Sequence, residues 1–451
     1  MNKKGFTLAE LAGAIVVIFI IVLIGVPSGK FLFKKVRELT FVYSSKNLMK
    51  ATEKDCQSRI MRGEYPVLTY MIKDKKISED LQTKGAIPDE GHIILNKECD
   101  VINYSFKKDE FVYADSDKTI EDFMIKETTE KEKSLFSLIY QEEYEKIKGI
   151  YFVNNLNIHK NAIGVYDISA SGKGLIKSWL TKIDDGYNLY IGSEGNIYAN
   201  YNSGYLFLNS QASEIKFDNF ETIFSTNFEH MFEGCLKLAN LDIANWDTRN
   251  VTKMSDMFFY AQSLTRLDLS KWKTTSLTEI EAMFACCYAL KELKLDSWNT
   301  SKVANMSFLF SYCEALETLK LSNFNTSNVT SMFGMFYNCV SLKDIDISNL
   351  NISKVILMGQ MFYNCNSLEK LDISNWQLSA TVVMTNMFNL CNSLKEIIVS
   401  NGTIATKLNT YIPTRSIDEP GKIVIKNELN NVDKNKFEVI NWHLYNDKGI
   451  I

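Results

Sequence analysis

The residues of this chain whose types and spacing could do chemistry are its nine cysteines and four histidines. Six cysteines recur at one position of a 26-residue repeat, with Ala261 in the gap: Cys235, Cys287, Cys313, Cys339, Cys365 and Cys391. Such a column could bind a metal, form disulfides or pack as small apolar side chains. Because alanine can do only the last of these, the column favours burial, and the other two alternatives stay open. The histidines are far apart, without HExxH or zinc-type spacing.

Motifs for catalysis or nucleotide binding do not occur in the sequence. It contains no GxxxxGKS/T, GxGxxG or GxSxG, and no nucleophile–base set is discernible from spacing. We therefore expect no enzyme, no catalytic residue, no cofactor and no metal site. The net charge is −4, from 50 basic and 54 acidic residues. This near balance argues against a nucleic-acid partner, which would favour a basic bias.

The repeat extends well beyond the cysteine column. Its clearest mark is an apolar-Phe pair whose first residues are Met231, Met257, Met283, Leu309, Met335, Met361 and Met387. The L-x-x-L-x-L frame, for example Leu264, Leu267 and Leu269, predicts a short strand in each repeat. A period of this length is typical of leucine-rich repeats, so we predict a parallel-β solenoid over 212–404.

Apolar columns follow from the same period. Stacked coils lie about 4.8 Å apart, so equivalent side chains would lie over one another inside the repeats. We interpret these columns as repeat core rather than as a cofactor site, and they include Trp246, Trp272, Trp298, Trp376, Cys313, Cys339 and Cys365.

Stretches such as LTRLDLSKW resemble the BspA-like leucine-rich-repeat surface proteins. Residues 150–211 also look like the N-terminal region of that family, although Tyr166 stands where Trp is usual. Residues 405–451 would cap the other end of the array. The resemblance implies a cell-surface role, often in adhesion or in binding of macromolecules, and it leaves the partner unspecified.

Two columns flank the middle apolar residue of each predicted strand and should face the solvent. They carry mixed charges, as at Arg266, Glu292 and Lys294, and no aromatic patch stands out. This face is either simply solvated or a polar strip that binds an extracellular protein or glycan.

The amino terminus carries a second signal. The 21 residues from Phe6 to Val26 contain one charged side chain, Glu10, and are long enough to cross a membrane as a helix. Helical spacing continues to Ile60, which predicts one helix of about 55 residues. Glu10 could cap this helix in a Thr-x-x-Glu box that begins at Thr7, or it could pair with the amino group of another subunit.

The stretch KKGFTLAEL resembles the type IV prepilin signal. The resemblance implies removal of a leader, residues 1–5, by a prepilin peptidase that cuts between Gly5 and Phe6, and N-methylation of Phe6. It also implies that the helix over 6–60 packs against other pilin or pseudopilin subunits, with Glu10 acting in assembly.

Residues between this helix and the repeats give weaker signals. Short β-like runs predict a small pilin-like β region over 61–115, and charge-dense helical spacing predicts a connecting helix over 116–149. Cys56 and Cys99 either form a disulfide, which an exported domain permits, or remain two separate thiols.

The sequence as a whole predicts an α+β multidomain chain, with a long pilin helix and small β head followed by the solenoid. We expect a minor pilin or pseudopilin in the cell membrane, at the cell surface or in a pilus, that displays the repeats for adhesion or macromolecule binding. The alternative is a membrane-anchored surface adhesin with the same repeats that does not enter a filament.

Overall fold

The structure is a computed structural model. It describes residues 29–62, 69–73, 75–77, 81, 87–95, 99, 101–108, 111–114, 120–128, 133–347, 349–379, 381–427, 432–446 and 449–450. The chain divides into two compact units, Met1–Ile120 and Glu121–Ile451.

The first unit combines a helix with a small antiparallel sheet. Helix α1 spans Gly29–Met61. The sheet has the strand order β2-β1-β3-β4-β5, and its strands are β1 (Thr69–Lys73), β2 (Lys76–Ile77), β3 (Glu90–Leu95), β4 (Val101–Lys108) and β5 (Phe111–Ala114). Leu48 of the helix shares a buried cluster with Ile93 and Phe106 of the sheet. A disulfide joins Cys56 of the helix to Cys99, the pair for which the sequence left two alternatives open.

The predicted fold class is wrong. It required a helix of about 55 residues and a long solenoid sheet, whereas α1 has 33 residues and most described elements are short strands. The described helix ends at Met61, one residue after the predicted end at Ile60, so the difference in length lies on its amino-terminal side. The L-x-L frame identifies inward-facing residues without extending a sheet. The predicted helix start at Phe6 lies outside the described residues.

The single connecting helix predicted over 116–149 is also replaced by shorter elements. They are a 3-10 turn (Ile120–Phe123), helix α2 (Leu135–Tyr140) and a second 3-10 turn (Gln141–Lys146). Ser134 caps α2, since its hydroxyl accepts a hydrogen bond from the backbone N–H of Phe136. Phe136 and Tyr140 are buried, so this segment packs into the core instead of lying in solvent.

A mixed sheet precedes the repeats, with the strand order β11-β6-β9-β8-β7. Its strands are β6 (Ile147–Val153), β7 (Ile163–Asp167), β8 (Lys177–Ile183), β9 (Gly186–Gly192) and β11 (Glu214–Phe217). Strands β6, β9 and β11 are parallel, and the neighbours of β8 run antiparallel to it. A separate parallel pair joins β10 (Ile197–Tyr198) to β12 (Phe220–Glu221).

The middle repeats contribute four strands of three residues each: β13 (Arg266–Asp268), β14 (Glu292–Lys294), β15 (Thr318–Lys320) and β16 (Asp344–Asp346). They pair in parallel two at a time, β13 with β14 and β15 with β16, and partners such as Leu267 and Leu293 lie one 26-residue period apart. Between strands, each coil consists mainly of turns.

Left-handed backbone recurs in the turns of every coil. Each coil has a positive φ at two positions, one residue before and three residues after the first residue of its apolar-Phe pair. In the second coil these residues are Asp256 (φ 56°) and Tyr260 (φ 61°). Extended strands cannot include this conformation, so the strands are confined to the segments between these points.

The first coil of the stack begins before residue 212, where the sequence placed the start of the repeats. Asn202 forms a parallel bridge with Asn227, which in turn bridges Lys253. Phe207 stacks on Phe232 with a centroid distance of 5.2 Å. The step between these two coils is 25 residues, and it therefore falls outside the exact 26-residue period.

A final sheet begins with the strands of the last two repeats, β17 and β18, and has the strand order β17-β18-β19-β20-β21. Its strands are β17 (Lys370–Ile373), β18 (Glu396–Val399), β19 (Gly421–Ile425), β20 (Trp442–Asn446) and β21 (Gly449–Ile450). Helices α3 (Gly402–Leu408) and α4 (Lys434–Glu438) lie between these strands in the chain. Only β21 is antiparallel to its neighbour.

Candidate functional site: the exposed strand face

The cysteine column forms part of the core. Each of its six thiols is buried and donates to the carbonyl of the phenylalanine in the preceding coil's apolar-Phe pair, as from Cys339 to Phe310 at 3.1 Å and from Cys391 to Phe362 at 2.9 Å. Burial raises the pKa of Cys339 to about 12, so its thiol stays protonated at neutral pH. Within the described residues, no group of three or more potential ligands is placed to hold a metal ion.

The tryptophan column is also internal. Trp246, Trp272 and Trp298 are buried and stack with centroid distances of 6.4 and 6.3 Å. The indole N–H of Trp272 donates to the carbonyl of Ile243 at 2.9 Å, and that of Trp298 makes the equivalent bond one coil later. Trp376 is buried too, with its N–H at 3.4 Å from the carbonyl of Ile347.

The predicted processing and assembly residues, Gly5, Phe6 and Glu10, lie outside the described residues, so cleavage, methylation and assembly stay predictions. Among the helices that the structure describes, none is long and apolar enough to cross a membrane.

The outward side of the strands offers the most extended candidate surface, which we call the strand face. Its residues flank the buried middle residue of each short strand, as Arg266 and Asp268 flank Leu267. Parallel pairing places equivalent residues side by side, so that Arg266 neighbours Glu292 and Asp268 neighbours Lys294. At the carboxyl-terminal sheet the same arrangement continues through Lys370, Glu396, Lys422 and His443.

Ion pairs between coils organise much of this face. Lys294 lies 3.6 Å from Asp268 of the preceding coil and 3.2 Å from Glu292 of its own strand. Lys370 lies 2.7 Å from Glu396, and its hydrogen bond lowers the pKa of that carboxyl group. Apart from Glu396, these side chains are about half exposed, so each pair contributes little to stability and most of the charges remain accessible to a ligand.

A groove of about 520 Å³ crosses the strand face at its amino-terminal end. Its lining includes Glu214, Lys216, Asp242, Arg266, Asp268 and Lys294. Lys216 pairs with Glu214 at 2.8 Å, whereas Arg266 makes no ion pair within the part of the chain that the structure describes. A guanidinium group presents five N–H donors in a planar fork, so Arg266 is equipped to bind a carboxylate or carbonyl group.

Aromatic residues line up beside this groove, and the sequence did not reveal them. Lys216 on β11 pairs with Tyr151 on β6, Tyr151 pairs with Tyr190 on β9, and Tyr190 pairs with Trp179 on β8. The rings stack, with centroids 5.2 Å apart for the two tyrosines and 5.8 Å apart for Tyr190 and Trp179. The hydroxyl of Tyr151 also donates to Glu214 at 3.0 Å. Tyr151 and Tyr190 are half-buried, whereas Trp179 is buried. The groove is therefore continuous with the two tyrosines of this aromatic row.

This row could not be read from the repeat columns because its members precede the repeats and come from three different strands. On β6, Tyr151 lies between the buried Ile150 and Phe152. This alternation is the one local signal that the side chain of Tyr151 faces outward.

Comparison with known proteins concerns the repeats. No curated protein matches the chain. Residues 202–294 and 287–401, somewhat less than half of the chain, match the model of a family described as "Mycoplasma protein of unknown function, DUF285", so the repeat region is similar to that family.

Proposed function

We propose that this chain is a cell-surface repeat protein whose strand face binds an extracellular macromolecule. The family similarity over 202–401 and the resemblance to BspA-like surface proteins support the surface role. The observation that carries the binding role is the groove around Arg266, continuous with the half-buried, stacked rings of Tyr151 and Tyr190. Tyrosine, tryptophan and arginine are the side chains most enriched at binding hot spots.

The role that we propose is binding rather than catalysis. Charged groups in the groove form ion pairs with one another, as Lys294 does with Glu292 and Asp268. Such pairs suit electrostatic steering and orientation of a macromolecule. The free cysteines of the repeats are buried, and burial raises the pKa of Cys339 to about 12, so that its thiol stays protonated.

Charge reversal in the groove tests this proposal. The purified full chain is assayed by surface plasmon resonance against arrays of extracellular proteins and glycans, and each ligand found is retested with Arg266→Glu combined with Lys294→Glu. We expect at least tenfold weaker binding, since two cations that face the ligand become anions. Lys302→Glu is the matched control, because Lys302 is exposed outside the groove. Equal loss in the control, or unchanged binding in the double variant, would contradict the proposal.

The amino terminus supports a separate proposal about delivery. We propose that the chain is exported with prepilin-type processing, on the basis of the KKGFTLAEL stretch. The mass of the mature protein tests this directly: cleavage before Phe6 is expected, and an uncut Met1 would contradict it.

A further inference from the structure

Turn residues of the repeats form a second surface, whose chemistry differs from that of the charged strand face. Five tyrosines contact one another in an unbroken row: Tyr260, Tyr288, Tyr312, Tyr337 and Tyr363. Successive ring centroids lie 5.8, 6.1, 5.3 and 4.7 Å apart. We call this row the tyrosine ladder. Tyr260 is 41% exposed, and the other four are half-buried.

The ladder is not a column of the repeat. Counted from the first residue of the apolar-Phe pair, Tyr260 and Tyr312 lie three residues on, Tyr288 lies five on, and Tyr337 and Tyr363 lie two on. Core columns arise because one position faces the interior in every coil. The tyrosines instead come from three different positions, and yet their rings meet, so interior packing does not explain the row.

Two tyrosines of the ladder also have a backbone conformation that is unfavourable for tyrosine. Tyr260 and Tyr312 have φ values of 61° and 59°, in the left-handed region. Equivalent positions hold Gly234, Asn338 and Asn364, which are residue types that tolerate this conformation, and also Cys286 and Leu390, which do not favour it. A bulky residue here is conformationally unfavourable, and its ring lies at the surface, so the fold gains little in return.

The ladder lies in a neutral setting. The turn segments that contain it are rich in Tyr, Ser, Asn and Cys, and their one charged residue is Glu314: 258–264, 284–290, 310–316, 336–342 and 362–368. Beside the rings runs a polar chain in which Asn364 donates to Asn338 at 2.6 Å and Asn338 donates to Glu314 at 3.0 Å. Amide and carboxylate groups each have more hydrogen-bonding capacity than these two bonds use.

Ring orientation leaves aromatic surface free along part of the ladder. The planes of Tyr260 and Tyr288 are inclined by 84°, and those of Tyr288 and Tyr312 by 73°. Perpendicular rings cannot cover each other's faces completely, in contrast to Tyr337 and Tyr363, whose planes differ by 5°. The aromatic surface that is available to a ligand therefore centres on Tyr260, Tyr288 and Tyr312.

We propose that the tyrosine ladder binds a neutral polysaccharide chain. The C–H faces of a sugar ring pack on aromatic rings, while its hydroxyl groups exchange hydrogen bonds with tyrosine hydroxyls, amides and carboxylates. A long, narrow and shallow row suits an extended polymer better than a compact ligand. The lack of lysine and arginine in the five turn segments disfavours an anionic polymer, which would need cations. This inference concerns a different surface from the groove and does not depend on the proposed function.

The test is affinity electrophoresis of the purified full chain in gels that contain laminarin, glucomannan or soluble starch, with alginate as the anionic comparison. We expect retardation by at least one neutral polymer and none by alginate. Tyr260→Asn combined with Tyr312→Asn should weaken the retardation at least tenfold, and because asparagine tolerates left-handed backbone, the thermal midpoint should stay level or rise.

Two further variants keep the result interpretable. Leu390→Asn makes the same change of conformational preference at an equivalent position (φ 63°) in the coil after the last tyrosine of the ladder, and because it removes no tyrosine it should leave binding intact. Tyr363→Asn uses the residue found at the same position of the next coil, Asn389, and should weaken binding without unfolding. Absence of retardation by all three neutral polymers, retardation by alginate alone, or full binding by the double variant would overturn the proposal. Charge reversal in the groove should not affect this assay, which separates the two surfaces.

Discussion

Replacing tryptophan by phenylalanine in two consecutive coils should separate the energy of an indole hydrogen bond from that of ring packing. Trp246 and Trp272 are 7% and 0% exposed, and their planes are almost parallel, at 2°. The N–H of Trp272 donates to the carbonyl of Ile243, whereas the N–H of Trp246 is buried without an acceptor among the described residues. Phenylalanine is compatible with the column, since Phe324 occupies it three coils after Trp246.

The two substitutions remove the same ring atoms, so most of the packing loss cancels when they are compared. Trp272→Phe also loses one net hydrogen bond, worth about 1 kcal/mol. The Ile243 carbonyl keeps the backbone N–H of Trp246 at 3.1 Å, so it does not become unsatisfied. Trp246→Phe instead removes a buried unpaired donor, whose burial costs about 1–3 kcal/mol. Trp272→Phe should therefore be more destabilising than Trp246→Phe by about 2–4 kcal/mol.

Urea unfolding, followed by far-UV circular dichroism, measures this difference as a shift in midpoint at constant slope. A variant with both substitutions should show the sum of the two effects only if the stacked rings do not reorganise. Equal destabilisation by the two single substitutions, or a larger effect of Trp246→Phe, would refute the assignment of the hydrogen bond and of the unpaired donor.

Two other predictions concern the cysteines. Burial raises the pKa of Cys235, Cys339 and Cys391 from an ordinary value of 9.0 to about 12. The folded state therefore keeps protons that the unfolded chain releases. Stability present below about pH 9 should fall as pH rises towards 12, by about 1.4 kcal/mol per pH unit for each cysteine. In Cys339→Ala this slope should be reduced, and an unchanged slope would contradict the reasoning. The Cys56–Cys99 disulfide closes a separation of 43 residues, so Cys56→Ser should destabilise the first unit by about 4 kcal/mol. Hydrogen exchange should show loss of protection in residues 29–108, and equal loss in the repeats would argue against a local effect.

Local geometry explains which parts of the fold the sequence could not predict. Apolar spacing predicted a helix of about 55 residues that ends at Ile60. The described helix has 33 residues and ends at Met61, and the predicted start at Phe6 lies outside the described residues. The coil that begins at Asn202 was missed because its step of 25 residues breaks the period, although Phe207 stacks in the same core.

The sequence by itself determined the period of the repeats and the chemical type of each inward column. Stacked coils put one position of every repeat in the same environment, so the constraint appears as recurring residue types, and Ala261 in the cysteine column already indicated a small buried site. Tertiary structure alone decided what lies on the surface. The stacked pair of Tyr190 and Tyr151 and the tyrosine ladder each join residues from different strands or different repeat positions. No periodic pattern records such neighbours, because their contacts arise only when separate strands and turns are brought side by side.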